Sequence, residues 1–170
     1  FCALGADVTV TDGSVISGYA SLFGQADQGG DTVVPGAYTA SLAQGRQIKM
    51  LWQHDPAQPI GVWDEVREDA KGLWVKGRLL TDVAKGREAA SLVAAGAIDG
   101  LSIGYRTVKA QMNDKGGRLL SQLELWEVSL VTFPMLQEAR VAAKGDDPAA
   151  ATMRGLAKAF DDARRLMARD

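Results

Sequence analysis

The chain contains one histidine, His54. Any reaction that needs an imidazole must use that ring, and any that needs two is excluded. Two other segments carry side chains suited to chemistry. Ser102 lies in Gly100-Leu-Ser-Ile-Gly104, and Glu127 lies in Leu125-Trp-Glu-Val-Ser-Leu-Val-Thr-Phe133. A hydroxyl, an imidazole and a carboxylate are the nucleophile, base and base-orienting acid of acyl transfer. Each residue also has a plainer reading. A strand serine between glycines is what a tight sheet contact requires. A lone histidine at a strand end beside Trp52 can simply cap an edge. Glu127 sits among apolar residues, and burying an unpartnered carboxylate costs on the order of several kcal/mol. It therefore faces solvent or has a partner, and an imidazole N–H is a suitable one. Strand alternation puts Leu125, Ser129 and Val131 on its face, which is not a water-facing set. Glu124 is the competing acid on the opposite face, with Trp126. Asp55 adjoins His54 in sequence and is awkwardly placed to hold its ring.

The letters G-x-S-x-G also match the nucleophile elbow of esterases and amidases, which requires a helix after the serine. Tyr105, Thr107 and Val108 continue as a strand instead. The elements that must position the three side chains are mostly strands. Residues 7–23 alternate around Asp12-Gly13 as a hairpin. Gly29-Gly30-Asp31 is a turn before a short strand, Thr32 to Val34, ended by Pro35. Pro35-Gly36 opens a short helix through about Leu42. Strands follow at Ile48 to Gln53, Ile60 to Glu68 and Leu73 to Leu80, the last two joined by Asp69-Ala-Lys-Gly72. His54 ends the first of these on the face of Met50 and Trp52, and Asp55-Pro56 turns the chain. The period changes from Asp82 to Ala95, an alanine-rich helix with Gly96 at its C-terminal cap. Ile98 to Val108 and Leu119 to Phe133 are strands again, joined at Asn113 to Gly117. The pattern predicts a mainly β (α+β) fold, a closed β-barrel surrounded by helices. It divides into a barrel domain over 1–141, a linker over 142–149 and an amphipathic helix over 150–170.

Composition narrows the function classes. Of the 170 residues, 46% are hydrophobic and 24% charged, an ordinary globular balance. The 19 basic and 21 acidic residues leave a net charge of −2, which favours neither a nucleic-acid nor a membrane-surface partner. The single cysteine, Cys2, cannot form an internal disulfide, which points to a reducing compartment or to indifference about redox. With His54 it supplies too few soft ligands for a structural zinc site. No cofactor or metal is expected. No apolar run approaches the roughly 20 residues that span a bilayer. The N-terminal stretch lacks the basic region of a signal peptide, and the initial Phe1 points to a trimmed or processed chain.

The order of these motifs resembles the prohead (capsid maturation) serine proteases of tailed bacteriophages and related gene-transfer particles. The likeness is carried by His54-Asp-Pro56 with Pro59-Ile-Gly-Val62, by Gly100-Leu-Ser-Ile-Gly-Tyr105, and by Leu125 to Pro134. Gly18-Tyr-Ala-Ser-Leu-Phe-Gly24 and Asp31-Thr-Val-Val-Pro-Gly-Ala-Tyr38 fit it too, so it covers about residues 14–141. The resemblance implies a barrel like that of the herpesvirus protease assemblin. It matches Ser102 to the nucleophile, His54 to the general base and Glu127 to the third member, where the herpesvirus relatives use a second histidine. It implies an oxyanion-hole N–H near Met135 or Leu136, since Pro134 has none. The substrates it implies are the scaffold or the scaffold domain of the major capsid protein, and the protease itself. The work would be done inside an assembling prohead in the bacterial host cytoplasm, by a homodimer or higher oligomer. The other reading is a catalytically silent barrel associated with the capsid or scaffold.

Overall fold

A computed structural model describes residues 14–113 and 116–141. The elements, in chain order, are β1 (Val15–Leu22), β2 (Asp31–Val33), α1 (Thr39–Ala43), β3 (Lys49–Trp52), β4 (Asp55–Glu68), β5 (Gly72–Leu79), α2 (Ala84–Ala94), β6 (Gly100–Met112) and β7 (Arg118–Val131). The expected linker and C-terminal helix, and the first arm of the 7–23 hairpin, lie outside the described residues.

All seven strands among the described residues belong to one curled sheet with the order β1-β5-β4-β3-β7-β2, and β6 pairs with β7. The mainly β expectation holds. The curl brings β1 and β6 together, and Arg140 and Val141 span the gap. Val141 bridges to Gly18 of β1 and Arg140 bridges to Gly100 of β6. An Arg140–Asp99 ion pair fastens the same junction. Inside the curl lies a continuous apolar core that includes Ile16, Met50, Ile60, Leu73, Val75, Leu101, Leu123, Leu125, Val128 and Leu130. Its apolar side chains leave water together, at roughly 25 cal/mol per Å² of area removed.

The described helices are the two the sequence predicts. In α2, Ala89, Ala90 and Val93 are buried, and Gly96 ends the helix at φ +69°. The helix expected from Pro35 begins later, at Thr39. Gly36 has φ +89°, a left-handed conformation that a right-handed helix cannot include. The Glu68 carboxylate holds this turn by accepting the Gly36 and Tyr38 N–H groups.

Strand β7 is the axis of the sheet. Its first residues pair in parallel with β2, and Arg118 holds Asp31 through two bonds at 2.7 and 2.5 Å. Its Glu127 to Leu130 stretch pairs in parallel with β3 (Leu51 opposite Ser129). Along its other edge it pairs antiparallel with the whole of β6. Close approach between β4 and β5 depends on Gly77, where a methyl would overlap the Val62 carbonyl and crowd Trp63 and Met50. Gly77→Ala is expected to lower stability by about 1–3 kcal/mol, the usual cost of overpacking. Chemical denaturation of the two proteins checks this.

Candidate active site

The decisive local event is a bulge in β7. Gly104 pairs with Glu127 and Tyr105 pairs with Leu125, so Trp126 has no partner across the ladder. A bulge shifts the alternation of a strand by one residue. Before it, Leu123 and Leu125 point into the core; after it, Val128 and Leu130 do. Glu127 and Ser129 are left on the outer face. The expectation that Leu125 shares the face of Glu127 is therefore corrected, because unbroken alternation cannot register the extra residue.

Ser102 pairs directly with Ser129, and paired residues of an antiparallel ladder share a face. Ser102, Gly104, Glu127 and Ser129 thus lie together on the side of the β6–β7 ribbon turned away from the Leu101–Val128–Leu130 core, with Ser102 and Ser129 themselves covered. The flanking glycines have separate reasons. A methyl at Gly104 would overlap the Glu127 carboxylate, which lies across that position. A methyl at Gly100 would sit 2.9 Å from Cδ of Pro134. The tight-contact reading of these glycines is correct, and at Gly104 the contact is with the candidate acid itself.

His54 arrives from β3. Only Gln53 and His54 separate Trp52 from its partner Asp55, and both are left-handed, at φ +52° and +62°. That is the backbone of a type I′ hairpin turn, which ordinarily recruits Asn-Gly. His54 therefore sits at a hairpin tip, not at a strand end on the face of Met50 and Trp52; Asp55 already begins β4. Left-handed non-glycine residues cost on the order of 1–3 kcal/mol each, and they persist where the surroundings over-determine them. Here the Gln53 N–H donates to Leu130 O (2.9 Å) and Gln53 Nε2 donates to Thr132 Oγ1 (2.8 Å). The His54 N–H donates to Ser129 Oγ (3.2 Å).

These ties bring the ring to the carboxylate. His54 Nδ1 lies 2.5 Å from Glu127 Oε1, and Ser129 Oγ donates to Glu127 Oε2 at 2.6 Å. The Glu127 side chain is 12% exposed and that of His54 41%. The hydrogen bond that the ring donates to Glu127 raises the His54 pKa above its ordinary value; partial burial opposes this and the carboxylate charge adds to it. The competing acids are occupied. Glu124 is paired with Arg46 (2.8 Å) and Arg106 (2.6 Å). Asp55 accepts from the Ala57 N–H and from Gln58 Nε2.

Ser102 is 5% exposed, and among the described residues its hydroxyl makes no hydrogen bond, to the His54 ring or elsewhere. It borders a cleft of about 160 Å³ that is also lined by Leu22, Asp27, Leu101, Ile103, Met135 and Leu136. The Met135 and Leu136 N–H groups donate to no acceptor among the described residues. Gln28 anchors their loop by donating its N–H to Met135 O (3.0 Å). No group of three or more potential metal ligands occurs among the described residues. Sequence reasoning placed Ser129 beside Glu127 without giving it a task, and it missed Gln53 and Thr132, whose bond joins segments 79 positions apart.

A model of one protein family, described as caudovirus prohead serine protease, matches residues 5–158. The chain belongs to that family. It is 34% identical over 133 residues to the prohead protease of Enterobacteria phage HK97, covering 76% of this chain and 59% of that protein. It is 28% identical over 129 residues to the prohead protease of Escherichia phage T5, covering 72% and 59%. The chain thus spans about three-fifths of the length of these relatives. Among solved structures it is similar to the capsid assembly protease gp21 of bacteriophage T4, with a TM-score of 0.61 and 14% identity over 77% of this chain and 90% of that one. It is also similar to the varicella-zoster virus protease, with a TM-score of 0.52 and 14% identity over 75% and 62%. At such identities the structural likeness shows the fold, which is that of the phage and herpesvirus proteases.

Gly104→Ala tests the geometry independently of activity. The added methyl would drive the Glu127 carboxylate off its position, and the His54 pKa is expected to fall back toward the ordinary value near 6.5. NMR titration of the one imidazole in the chain reads this directly; an unchanged midpoint would count against the arrangement.

Proposed function

We propose that the chain is the catalytic domain of a capsid-maturation serine endopeptidase. In this reading Ser102 is the nucleophile, His54 the general base and Glu127 the acid that orients it. The observation that carries the proposal is the Nδ1–Oε1 bond between the only histidine and a carboxylate, on the strand paired with that of Ser102. With Nδ1 committed to Glu127, the other ring nitrogen is left to take the serine proton. Ser102 Oγ attacks a peptide carbonyl as His54 accepts that proton. His54 then returns it to the departing amine, leaving an acyl-serine. Water, deprotonated by the same ring, cleaves the ester and restores the hydroxyl. The free N–H groups of Met135 or Leu136, across the cleft beside Ser102, suit the developing oxyanion. Among the described residues, strand β6 pairs beyond Ser102 with β7 alone, so its outer edge suits an extended substrate backbone bound by strand addition.

The substrates in this proposal are the scaffold or the scaffold domain of the major capsid protein, and the protease itself, inside the assembling prohead. Assembly into a homodimer or higher oligomer would switch activity on by drawing Ser102 and the ring into contact. Catalytic hydrogen bonds are commonly looser before substrate engages. A latent or silent barrel and an active protease part ways under a fluorophosphonate probe, which labels Ser102 only in the active form.

Ser102→Ala is expected to abolish cleavage of a capsid-derived substrate, by roughly 10⁵-fold or more, with the fold retained. Cleavage that survives this change assigns the chemistry to another group. Glu127→Gln is expected to cost less, about 10²- to 10⁴-fold. The pH profile carries a sign. Only neutral His54 can act as base, and Glu127 raises its pKa. The acid limb of kcat/KM should therefore lie above the ordinary imidazole value of about 6.5. It should move to lower pH in Glu127→Gln; a limb that stays put would separate Glu127 from the mechanism.

A further inference from the structure

Ser129 is fully buried, at 0% exposure, between the buried apolar residues Val128 and Leu130. Its Oγ makes two hydrogen bonds, one in each sense. It accepts from the His54 N–H at 3.2 Å and donates to Glu127 Oε2 at 2.6 Å. A serine hydroxyl has one proton to give, and this one gives it to the carboxylate oxygen that does not face the ring. The hydroxyl is thus joined to both members of the His–Glu pair, to one through its backbone and to the other through its side chain. It also stands opposite Ser102 across the β6–β7 ladder. Leu51 is its neighbour on β3, so the same residue marks the register of all three strands that bring the site together.

We infer that Ser129 is a positioning residue for the His54–Glu127 pair: it takes up the carboxylate oxygen that does not face the ring, braces the strained hairpin tip and moderates the charge that Glu127 presents to the ring. This rests on the peptidase reading above for its consequence in catalysis, but not for its geometry. Without the hydroxyl, Glu127 would lose the bond that holds Oε2, and its negative charge would concentrate on the oxygen facing Nδ1. The His54 N–H, in a left-handed residue of the tip, would lose its acceptor at the same time. The other charged groups near the pair are fixed elsewhere or lie aside. Asp55 is engaged by Ala57 and Gln58, and Lys49 is the exposed β3 neighbour of Glu127. Ser129 is no rival nucleophile, because its buried oxygen is already committed on both sides.

The test uses Ser129→Ala and Ser129→Thr in the full chain, each in the active protein and in the Ser102→Ala background, where self-cleavage cannot interfere. Two readouts are needed: steady-state cleavage of a capsid-derived substrate, and NMR titration of the single imidazole. The expected result for Ser129→Ala is a kcat lower by roughly 10- to 100-fold, the range for one hydrogen bond to a charged group. KM should stay within about twofold, because no substrate contact is removed. The His54 titration midpoint should rise above that of the parent. Threonine returns the hydroxyl and should restore the midpoint, whatever its methyl does to stability. A structural role alone would lower the melting temperature and leave the midpoint where it was. An unchanged or lowered midpoint in folded Ser129→Ala, or a kcat within twofold of the parent, overturns the inference. Cleavage by Ser102→Ala at the parent rate would instead overturn Ser102 as the nucleophile of the proposed peptidase, and the titration would still decide the role of Ser129.

Discussion

The pairing of β7 with β3 on one edge and β6 on the other is the constraint on which the site depends. β6 and β7 each carry one candidate catalytic residue and β3 leads into the hairpin tip that carries the third, and none of these strands can move along its neighbour without losing a ladder of backbone hydrogen bonds. A slip of one residue would also turn every buried side chain outward. With Leu101, Val128 and Leu130 committed to the core, the register is fixed by apolar burial. The outer face, where Ser102, Glu127 and Ser129 lie, inherits its geometry from the inner one. The bulge at Trp126 makes the two compatible, because it lets a strand that is apolar on its inner side present an acid on its outer side at the required point.

The His54 tip shows the opposite kind of dependence. Its backbone is locally unfavourable, with two left-handed residues that are neither glycine nor asparagine. It is held by partners on β7 and just beyond it: Ser129, Leu130 and Thr132. A glycine turn would be easier to form but would carry no imidazole. The chain accepts the strain where the candidate chemistry needs a side chain at the hairpin apex, and tertiary hydrogen bonds offset it.

The His54–Glu127 bond couples folding and the proposed chemistry to one proton in opposite senses. Because the bond raises the ring's pKa in the folded chain, its contribution to stability is complete below the unfolded value of about 6.5. That contribution fades as pH rises through the higher folded value. Base catalysis requires the neutral ring and so gains over the range in which this stabilisation is lost.

Strand and helix positions were legible in the sequence because alternation, glycine and proline act locally. β5, α2 with its Gly96 cap, and the strands bearing Ser102 and Glu127 fall where the pattern puts them. The start of α1 was misplaced, since Pro35 signals a helix start while Gly36 takes a left-handed φ that local pattern does not reveal. The face of Glu127 was misread because a bulge is a property of two strands together. The sequence by itself limited the candidate chemistry: with one imidazole available, any imidazole base had to be His54, and an acid set among apolar residues had either to face solvent or to find a partner. Only the tertiary structure decided which acid that partner was and what holds the pair. Glu124, Asp55 and Glu127 differ in their non-local neighbours, and Ser129 gains its bond from the His54 N–H only when β3 is laid beside β7.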